Sequence, residues 1–210
     1  MPRPDARLPL LDAAERLFAE RGVPTVSDRQ IAEAAGNSNH SAVRYYFGGR
    51  AGLVEALLER HHEAVEPARQ RMFAQSDSVL GDVRALVIPL TDTLATLPTP
   101  SWRARFLRQA LNDPATTELM RASGVEFHTP ARIVASVTSR LAHLDRGVVE
   151  ARARMTVHLV SATCAEIEER SQASGEPPPW SDVGGFLCDA VGGLLQAPVT
   201  ATFRAPTSSG

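Results

Sequence analysis

The stretch Ser27–Arg50, SDRQIAEAAGNSNHSAVRYYFGGR, decides the fold expected for the N-terminal part of this chain. Ser27 can cap a helix, and Gln30 three residues later can bond back to the N–H of the cap, which makes a capping box. Gly36 stands where a helix ends in a left-handed residue. One face of the intervening helix is small and apolar: Ile31, Ala32 and Ala35. The stretch therefore predicts a short, well-delimited helix at its start.

A second short helix is expected after a tight turn. Asn37, Ser38 and Asn39 favour turns and N-caps over helix interiors, so we predict that this helix begins at Ser38 or Asn39 and continues to Phe47. Val43 and Phe47 lie four residues apart and therefore face the core together. Two short helices joined by a tight turn are typical of a helix-turn-helix DNA-binding element.

The exposed side of the second helix and its flanks carry side chains suited to DNA. They are short or planar donors and acceptors, which can meet base edges in a groove, and a hydroxyl and a guanidinium that can hold phosphates. The alternative is an ordinary helical hairpin with a solvated polar face. The capping box, the glycine and the YYFGGR edge together favour DNA binding. The candidate DNA-binding residues are Ser27, Asn39, His40, Ser41, Arg44, Tyr45, Tyr46 and Arg50.

At these residues the chain resembles the TetR family of bacterial transcriptional regulators. Three blocks carry the resemblance over about the first sixty residues: LLDAAERLFAERG at 10–22, TVSDRQIAEAAG at 25–36 and SAVRYYFGGRAGLVEALL at 41–58. Beyond them only the helical layout and the closing LLQAPV are similar. The resemblance implies a dimeric, ligand-responsive repressor with an N-terminal DNA-binding domain and a C-terminal domain for dimerisation and effector binding.

The chain departs from the family pattern at the turn. From Gly36 to Val43 there is one residue more than usual, so we expect a longer turn and a recognition helix that is rotated or begins later. Arg44 stands where the family commonly has a phosphate-contacting Tyr. Tyr46 matches the family's aromatic or His phosphate contact, and Arg50 matches its helix-starting Lys.

Composition fits a regulator better than a non-specific nucleic-acid coat. The 210 residues hold 22 basic and 24 acidic side chains, a net charge of -2, and every basic residue is Arg. Residues 1–50 hold seven Arg and six acids, so DNA affinity must come from local placement. The N-terminal sequence does not resemble a signal peptide, and no apolar run approaches the roughly 20 residues that span a bilayer. We expect a cytoplasmic protein with no membrane association.

The helical pattern predicts an all-α fold of two domains. Residues 1–48 form the three-helix DNA-binding domain, whose first helix runs from Leu8 to Arg21, and 49–75 form a linker helix. A ligand-binding and dimerisation domain follows at 76–200, and 201–210 are expected to be a disordered tail. Pro67 should bend the linker helix or end its first half, either as a pivot or as a passive kink. Further helices are expected at 78–96, 101–112, 114–123, 129–144, 147–173 and 181–196.

The last two predicted helices are the candidate dimer surface. Met155, Leu159 and Ala162 follow a near-heptad face, and the last helix carries a wide apolar band. A two-fold symmetric operator favours a homodimer. The alternative is that these faces close the core of one chain. The candidate interface residues are Leu159, Ala162, Gly185, Phe186, Cys188, Gly192 and Leu195.

The effector site is less legible. Bulky or polar residues on helices expected around the centre of the C-terminal domain are candidate pocket walls, although each also fits plain core. An acyl thioester or a similar anion is compatible with Arg103, Arg105 and Arg108, which alternatively form a solvated basic face. The candidate ligand-binding residues are Trp102, Phe106, Gln109, Phe127, His128, Met155 and His158.

No pattern favours catalysis, a metal or a cofactor. His61 and His62 are adjacent and point about 100° apart on a helix, so they make a poor chelate. Cys164 and Cys188 lack metal-binding spacing; each fits a small buried residue, and a redox pair is the alternative. Phosphate-binding loops and nucleophile elbows are absent from the sequence. The alternative functions are a helical small-molecule carrier or enzyme with a structural N-terminal hairpin, and a helical protein-interaction adaptor.

Overall fold

The computed structural model describes residues 6–122 and 128–200, and within these residues the regular elements are all helical. The predicted all-α fold is confirmed. The helices are α1 (Arg7–Arg21), α2 (Asp28–Ala34), α3 (Ala42–Phe47), α4 (Arg50–Ala74), α5 (Val79–Ala95), α6 (Arg103–Asn112), α7 (Pro114–Ala122), α8 (His128–Arg140), α9 (Arg146–Ser174) and α10 (Trp180–Gln196), with a short 3-10 turn at Val23–Thr25. The predicted tail at 201–210 lies outside the described residues.

The ends of the later helices follow from local capping. Asp113 caps α7 by accepting the Thr116 N–H at 3.0 Å, with Pro114 at the first helical position as predicted. Ser78 caps α5 by accepting the Gly81 N–H at 3.1 Å. Helix α8 ends at Arg140, earlier than predicted, because 141–144 form a turn with bonds of the shorter i to i+3 type.

The chain divides into two compact units. Unit 1 comprises 1–64, 98–126 and 164–177, and unit 2 comprises 65–97, 127–163 and 178–210. Residues 98–122 therefore pack with the N-terminal helices, whereas the sequence analysis placed them in the C-terminal domain. The reason lies in the packing of α6 against α1. The functions assigned to the predicted domain ranges stay a prediction.

Unit 1 has an aromatic and a charged layer between α1 and α6. The rings of Phe18 and Phe106 stack with their centroids 6.2 Å apart, and both are fully buried. Beside them the buried carboxylate of Glu15 accepts from Arg103 Nε at 2.8 Å and from Arg60. Since a buried charge is costly unless it is paired, the three groups stabilise one another as a set.

A second buried carboxylate in unit 1 fixes the start of α6. Trp102 at the N-cap offers no side-chain cap. Glu168 from α9 replaces it by accepting the Ala104 and Arg105 N–H groups at 3.2 and 3.0 Å and the Ser101 hydroxyl at 2.6 Å. Free backbone N–H groups at a helix start need such acceptors, so a residue distant in sequence supplies the cap.

Unit 2 is built on α5, which packs against α10 and α8. Asp82 of α5 is fully buried and accepts from Ser76 Oγ, Ser136 Oγ and Arg140 Nε at 2.6, 2.7 and 3.1 Å. These bonds hold α8 on α5. Gly184 lets α10 approach closely, because a Cβ there would lie 2.5 Å from Thr91 Oγ1.

Pro67 does not end α4, contrary to one form of the prediction. The helix continues from Arg50 to Ala74. Pro67 and Glu63, whose carbonyl loses its helical donor, both lie on the exposed side of the helix. Water can satisfy that carbonyl, so the proline is tolerated. A pivot at Pro67 stays a prediction.

The junction between α3 and α4 requires glycine at position 52. A Cβ added to Gly52 would overlap the backbone carbonyl of Phe47. The carbonyl belongs to the last residue of α3 and has no flexible side-chain end that can move away. Close approach of α3 to the first turn of α4 therefore depends on the missing side chain.

We expect Gly52→Ala to lower the free energy of unfolding by more than about 2 kcal/mol, because the backbone must shift to relieve the overlap. Gly193→Ala is the control: it is also helical, and its Cβ would meet nothing within 4 Å. The control should be equally stable or about 0.5–1 kcal/mol more stable. Urea denaturation followed by circular dichroism measures both. Equal effects of the two substitutions would contradict the assignment.

Candidate nucleic-acid interface

Helix α2 is delimited as the sequence predicts. Ser27 Oγ accepts the Gln30 N–H at 3.2 Å, and Gln30 Oε1 accepts the Ser27 N–H at 2.8 Å, so the capping box is confirmed. Gly36 has a φ of 67°, and the Asn37 N–H donates to the Ala32 carbonyl at 2.8 Å. This is the bond pattern of a Schellman C-cap, which only a residue tolerant of positive φ completes without strain. The helix is therefore fixed at both ends.

Helix α3 begins at Ala42, later than the predicted start at Ser38 or Asn39. A longer turn and a later start are what the extra residue between Gly36 and Val43 led us to expect. Asparagine side chains explain the delay. Asn37 Oδ1 accepts the Asn39 N–H at 2.9 Å, and Asn39 Oδ1 accepts the Ser41 N–H at 3.0 Å. These local bonds satisfy backbone groups without helix, so they compete with an earlier helix start.

Helix α3 is anchored on one side and open on the other. Ala42 and Val43 are fully buried against the N-terminal core. Ser41, Arg44 and Tyr45 are exposed. Because residues three and four apart share a helix face, these three side chains point outward together. This outward face and the turn before it present a hydroxyl, a guanidinium and a phenol to a partner.

The two tyrosines differ in exposure. Tyr45 is 77% exposed, whereas Tyr46 is half-buried and packs against the N-terminal core. Their rings meet edge to face with centroids 4.9 Å apart. Tyr46 therefore keeps its ring in a fixed place with few rotameric choices, which favours positional contact over adaptable reading.

A polar groove of about 660 Å³ lies beside the turn. It is bounded on one side by the start of α1 and on the other by the turn and the two tyrosines. The lining residues are Ala6, Pro9, Ala35, Gly36, Asn37, Ser38, Asn39, Tyr45 and Tyr46. None of them is acidic, so the groove does not repel a phosphate backbone.

Arg50 is placed differently from the sequence prediction. Its guanidinium donates to the carbonyl oxygens of Val26 and Val23, the latter at 3.4 Å, and pairs with Asp28 at 3.0 Å. The same group lies 5.1 Å over the ring of Phe18. Because both terminal nitrogens make contacts within the domain, Arg50 positions the start of α2. A phosphate contact of Arg50 stays a prediction. Asp28 was missed, because an acid in a first helical turn has an ordinary explanation in the helix dipole.

The remaining predicted DNA-binding residues fall into two groups. Ser27 and Asn39 are exposed, but their side-chain oxygens cap α2 and the turn. His40, Ser41, Arg44 and Tyr45 are exposed, and no hydrogen bond or ion pair of these side chains is found within the described residues. The second group is the part of the predicted set that is open to a ligand.

The predicted effector residues are divided between the two units. Phe106 is core of unit 1, where Trp102 packs beside it, and Gln109 lies near Gly22. Met155 and His158 are exposed on α9 in unit 2. The candidate Phe127 and the side chain of His128 lie outside the described residues. Arg103 and Arg105 are already paired with Glu15 and Glu168, which makes them poor hosts for an anion.

The predicted dimer residues also divide. Leu159, Ala162, Gly185 and Phe186 are exposed. Cys188, Gly192 and Leu195 are buried on the side of α10 that packs on α5, and Leu80 of α5 covers Gly192. The prediction that these last three residues lie on the surface was wrong. One half of the apolar band on α10 is buried against α5 and belongs to the core.

The cysteines are unsuited to a redox or metal role. Both are buried free thiols, in separate units. Burial raises the pKa of Cys164 to about 12 and that of Cys188 to about 11, so the reactive thiolate is disfavoured.

Among the described residues no group of His, Cys, Asp or Glu side chains is arranged to hold a metal ion. Of the helices the structure describes, none combines the length and apolarity needed to cross a bilayer.

Comparison with known proteins agrees with this geometry. A family model described as bacterial regulatory proteins, tetR family, matches residues 10–57. The chain is 31% identical over 154 residues to an uncharacterized HTH-type transcriptional regulator of Mycobacterium tuberculosis, which is 73% of this chain and 71% of the relative. It is 32% identical over 91 residues to the HTH-type transcriptional regulator TtgR of Pseudomonas putida, 43% of each chain.

A solved structure supports the fold over nearly the whole length. A TetR-like transcriptional regulator from Rhodococcus sp. RHA1 matches with a TM-score of 0.60 and 18% identity, over 93% of this chain and 96% of that chain. A capped helix-turn-helix on an all-helical chain with such relatives defines a DNA-binding transcriptional regulator. The chain belongs to the TetR family. Regulators of this family bind DNA, act as dimers and are not enzymes.

The placement of Arg50 leads to a test against Arg44. We expect Arg50→Met to lower the free energy of unfolding by about 1–3 kcal/mol, since it removes donors from part-buried carbonyls. DNA affinity should fall with it, but the dependence of log affinity on log salt concentration should keep its slope. Arg44→Met should leave stability within about 0.5 kcal/mol and reduce that slope by about one, as expected for a lost phosphate contact.

Thermal unfolding and fluorescence anisotropy over a salt series, on DNA from upstream of the protein's own gene, measure both variants. If the Arg50→Met protein is as stable as wild type and the slope of log affinity against log salt concentration is reduced by one, Arg50 contacts a phosphate and our assignment is wrong.

Proposed function

We propose that this protein is a homodimeric repressor that holds a palindromic operator through α3 and the turn before it, and that releases the operator when a small-molecule effector binds. The observation that supports the DNA contacts most is the outward face of Ser41, Arg44 and Tyr45, held by the burial of Ala42 and Val43. An anchored helix with open polar side chains is the arrangement that reads a major groove.

Within this proposal the side chains have different tasks. Arg44 and Tyr46 hold phosphates, the former as an exposed guanidinium and the latter as a hydroxyl on a fixed ring. His40, Ser41 and Tyr45 meet base edges. Ser27, Asn39 and Arg50 keep the reading surface in shape through the bonds described above.

The dimer surface in this proposal is the exposed apolar face of unit 2. Met155 and Leu159 of α9 are 55% and 38% exposed, and Phe186 of α10 is 66% exposed. Arg152 Nη1 of α9 donates to the carbonyl of Leu195 near the end of α10 at 2.8 Å, so the two helices touch at that point. Exposed apolar side chains of this size favour association with another surface. Two such helices from each subunit would form a four-helix bundle.

Release by an effector is a matter of differential affinity. An effector shifts the protein away from DNA only if it binds the DNA-incompetent arrangement more tightly. The two recognition helices of a dimer must reach successive major grooves about 34 Å apart, so a small change in their separation is enough to lose the operator. The alternative function, a helical carrier with a structural hairpin, requires no operator.

We expect the wild-type protein to protect a palindrome in the DNA upstream of its own gene, and a folded Arg44→Ala, Tyr46→Phe double variant to lose at least tenfold in affinity for it. The Phe substitution keeps the packing of the ring and removes only its hydroxyl. DNase footprinting across the intergenic region gives the result, with circular dichroism as the check on folding.

The matched control for this footprint is Arg146→Ala, which removes one arginine whose side chain is 89% exposed at the start of α9. It should protect the palindrome as wild type does. Full protection by the double variant would refute the assigned contacts. No protection by wild type would favour the carrier or adaptor alternatives over a repressor.

The dimer surface is tested by charge. Leu159→Glu should convert the protein from a dimer to a monomer, because a carboxylate buried in an apolar interface has no partner. Val134→Glu is the control, since Val134 is 46% exposed on α8 of the same unit, outside the proposed face. Sedimentation velocity distinguishes the masses of one and two chains. A dimeric Leu159→Glu protein would place the interface elsewhere.

A further inference from the structure

Arg69 of α4 is a buried cation with too few partners. The residue is 9% exposed, and its nearest carboxylate oxygen is Oε2 of Glu66, 3.7 Å from Nη1. Among the described residues its buried Nε has no hydrogen-bond partner. An arginine offers five N–H donors, and a buried donor left unsatisfied is unfavourable. The group is therefore prepared for an acceptor that the described chain does not supply.

Other arginines of the chain show what full compensation looks like. Arg103, similarly buried, has its Nε 2.8 Å from a Glu15 oxygen. Arg140 donates to Asp82 at 3.1 Å and also to two backbone carbonyls. Arg105 pairs with Glu168 and donates to Gln172. In each case the acceptor comes from another element of the same unit, whereas the acceptor found for Arg69 among the described residues is Glu66, one turn away on its own helix.

The local electrostatics agree with an under-compensated charge. Burial lowers the pKa of the Arg69 guanidinium, and the nearby Glu66 carboxylate acts against that effect. Arginine nevertheless stays protonated in proteins, so the positive charge persists inside. Glu66 divides its carboxylate, because its Oε1 accepts from Gln70 Nε2 at 2.9 Å.

Apart from Glu66, the residues one turn away from Arg69 on the helix are apolar. Val65, one turn earlier, is fully buried, and Met72 and Phe73, one turn later, are half-buried. A second cation approaches from α8, where the Arg132 guanidinium lies 5.5 Å over the ring of Phe73. A positive group among apolar side chains, with another cation near, matches a ligand that carries one anionic head on an apolar body.

We propose that Arg69 binds the effector, and that the effector is an amphipathic organic anion whose carboxylate or phosphate head accepts from the Arg69 guanidinium. This inference rests on the proposed function, since it names the chemical class of the effector. The planar guanidinium matches two oxygens of either head group, and binding gives an acceptor to the buried Nε, which has none among the described residues. Val65, Met72 and Phe73 contact the apolar part.

The signal for Arg69 was present in the sequence but reads weakly. Residues 65, 69 and 72 follow the i, i+4, i+7 spacing of a buried stripe, with arginine in the middle position. A long basic side chain on such a stripe usually extends its charged end to solvent, so the pattern alone does not mark it. Only the burial of the whole residue distinguishes it from an ordinary surface arginine.

The test uses sodium decanoate and decyl phosphate as anionic probes and decanol as the neutral probe, all below the concentration at which they form micelles. Isothermal calorimetry and thermal shift are measured on the full-length protein without DNA. At least one of the two anions should bind the wild-type protein and raise its Tm. Decanol should bind with lower affinity than the anion that binds more tightly. Whichever anion binds more tightly identifies the head group.

The decisive variant is Arg69→Met, with Arg71→Met as its matched control on the exposed side of the same helix. The control should bind the anion as wild type does, and Arg69→Met should lose at least tenfold in affinity. Without probe, Arg69→Met should be as stable as the control or more stable, because a desolvated charge has been replaced by an apolar side chain. Equal anion affinity in both variants would overturn the proposal, as would failure of both anions to bind wild type.

A second pair of variants covers the case in which Arg69→Met does not fold. Arg69→Lys keeps the charge without the forked geometry and should bind the anion with intermediate affinity. Glu66→Gln removes the competing carboxylate and should bind it more tightly. Weaker binding in Glu66→Gln would mean that Glu66 and Arg69 act as a structural pair, and would overturn the proposal.

The two proposals fail separately. Calorimetry without DNA reports anion binding whatever the protein does to an operator. If the protein protects its operator but binds neither anion, the proposed effector class is wrong and the proposed repressor function stands. If an anion binds through Arg69 but the protein protects no operator, only the proposed repressor function is wrong.

Discussion

A helix of six residues cannot hold its own shape in water, so the position of α3 is imposed by its neighbours. The imposing contacts are small: Ala42 and Val43 are fully buried, and Ala32 of α2 is buried opposite them. A larger side chain at Ala32 or Ala42 would push the two helices apart. The caps at Ser27 and Gly36 then fix where α2 begins and ends. The close contact between Gly52 and the Phe47 carbonyl fixes the position of the first turn of α4 against the end of α3. These few contacts therefore determine in which direction the exposed side chains of α3 point.

Much of this was readable from the sequence, because caps and glycines act locally. The capping box at Ser27 and Gln30, the left-handed Gly36 and the proline after Asp113 are decided by residues a few positions apart. The start of α3 was not, because helix and asparagine turn compete over 37–41 with similar local energies. The band on α10 shows a second limit. Periodicity tells which residues are apolar but not which half meets α5, so Phe186 and Leu195 read alike and lie on opposite sides.

Arginine exposes the third limit, because one side-chain type serves unlike purposes in this chain. Arg44 is exposed, Arg50 donates to backbone carbonyls, Arg103 neutralises a buried acid, and Arg69 is buried with its ion-pair partner Glu66 3.7 Å away. A sequence contains the charge but not its counter-charge. Glu15 and Arg103 are far apart in the chain and meet only after α6 packs on α1. Charge patterns along the chain therefore predict overall balance, whereas the role of a particular arginine depends on which acceptors the fold brings within about 3 Å.

This distinction between compensated and under-compensated charge also bears on how binding at two places can be linked. A site whose cation is already neutralised gains little when an anion arrives, so it offers little free energy to shift an equilibrium. An under-compensated buried guanidinium is different, because the anion supplies both charge and acceptors there, and the gain depends on the arrangement of the surrounding side chains. Such dependence is what an effector needs in order to favour one conformation over another. Arg50, which shapes the reading surface, and Arg69 lie on the same helix α4, so the element that carries the anion site also carries the organiser of α2. By linkage, whatever factor the anion imposes on operator affinity, the operator imposes equally on the anion.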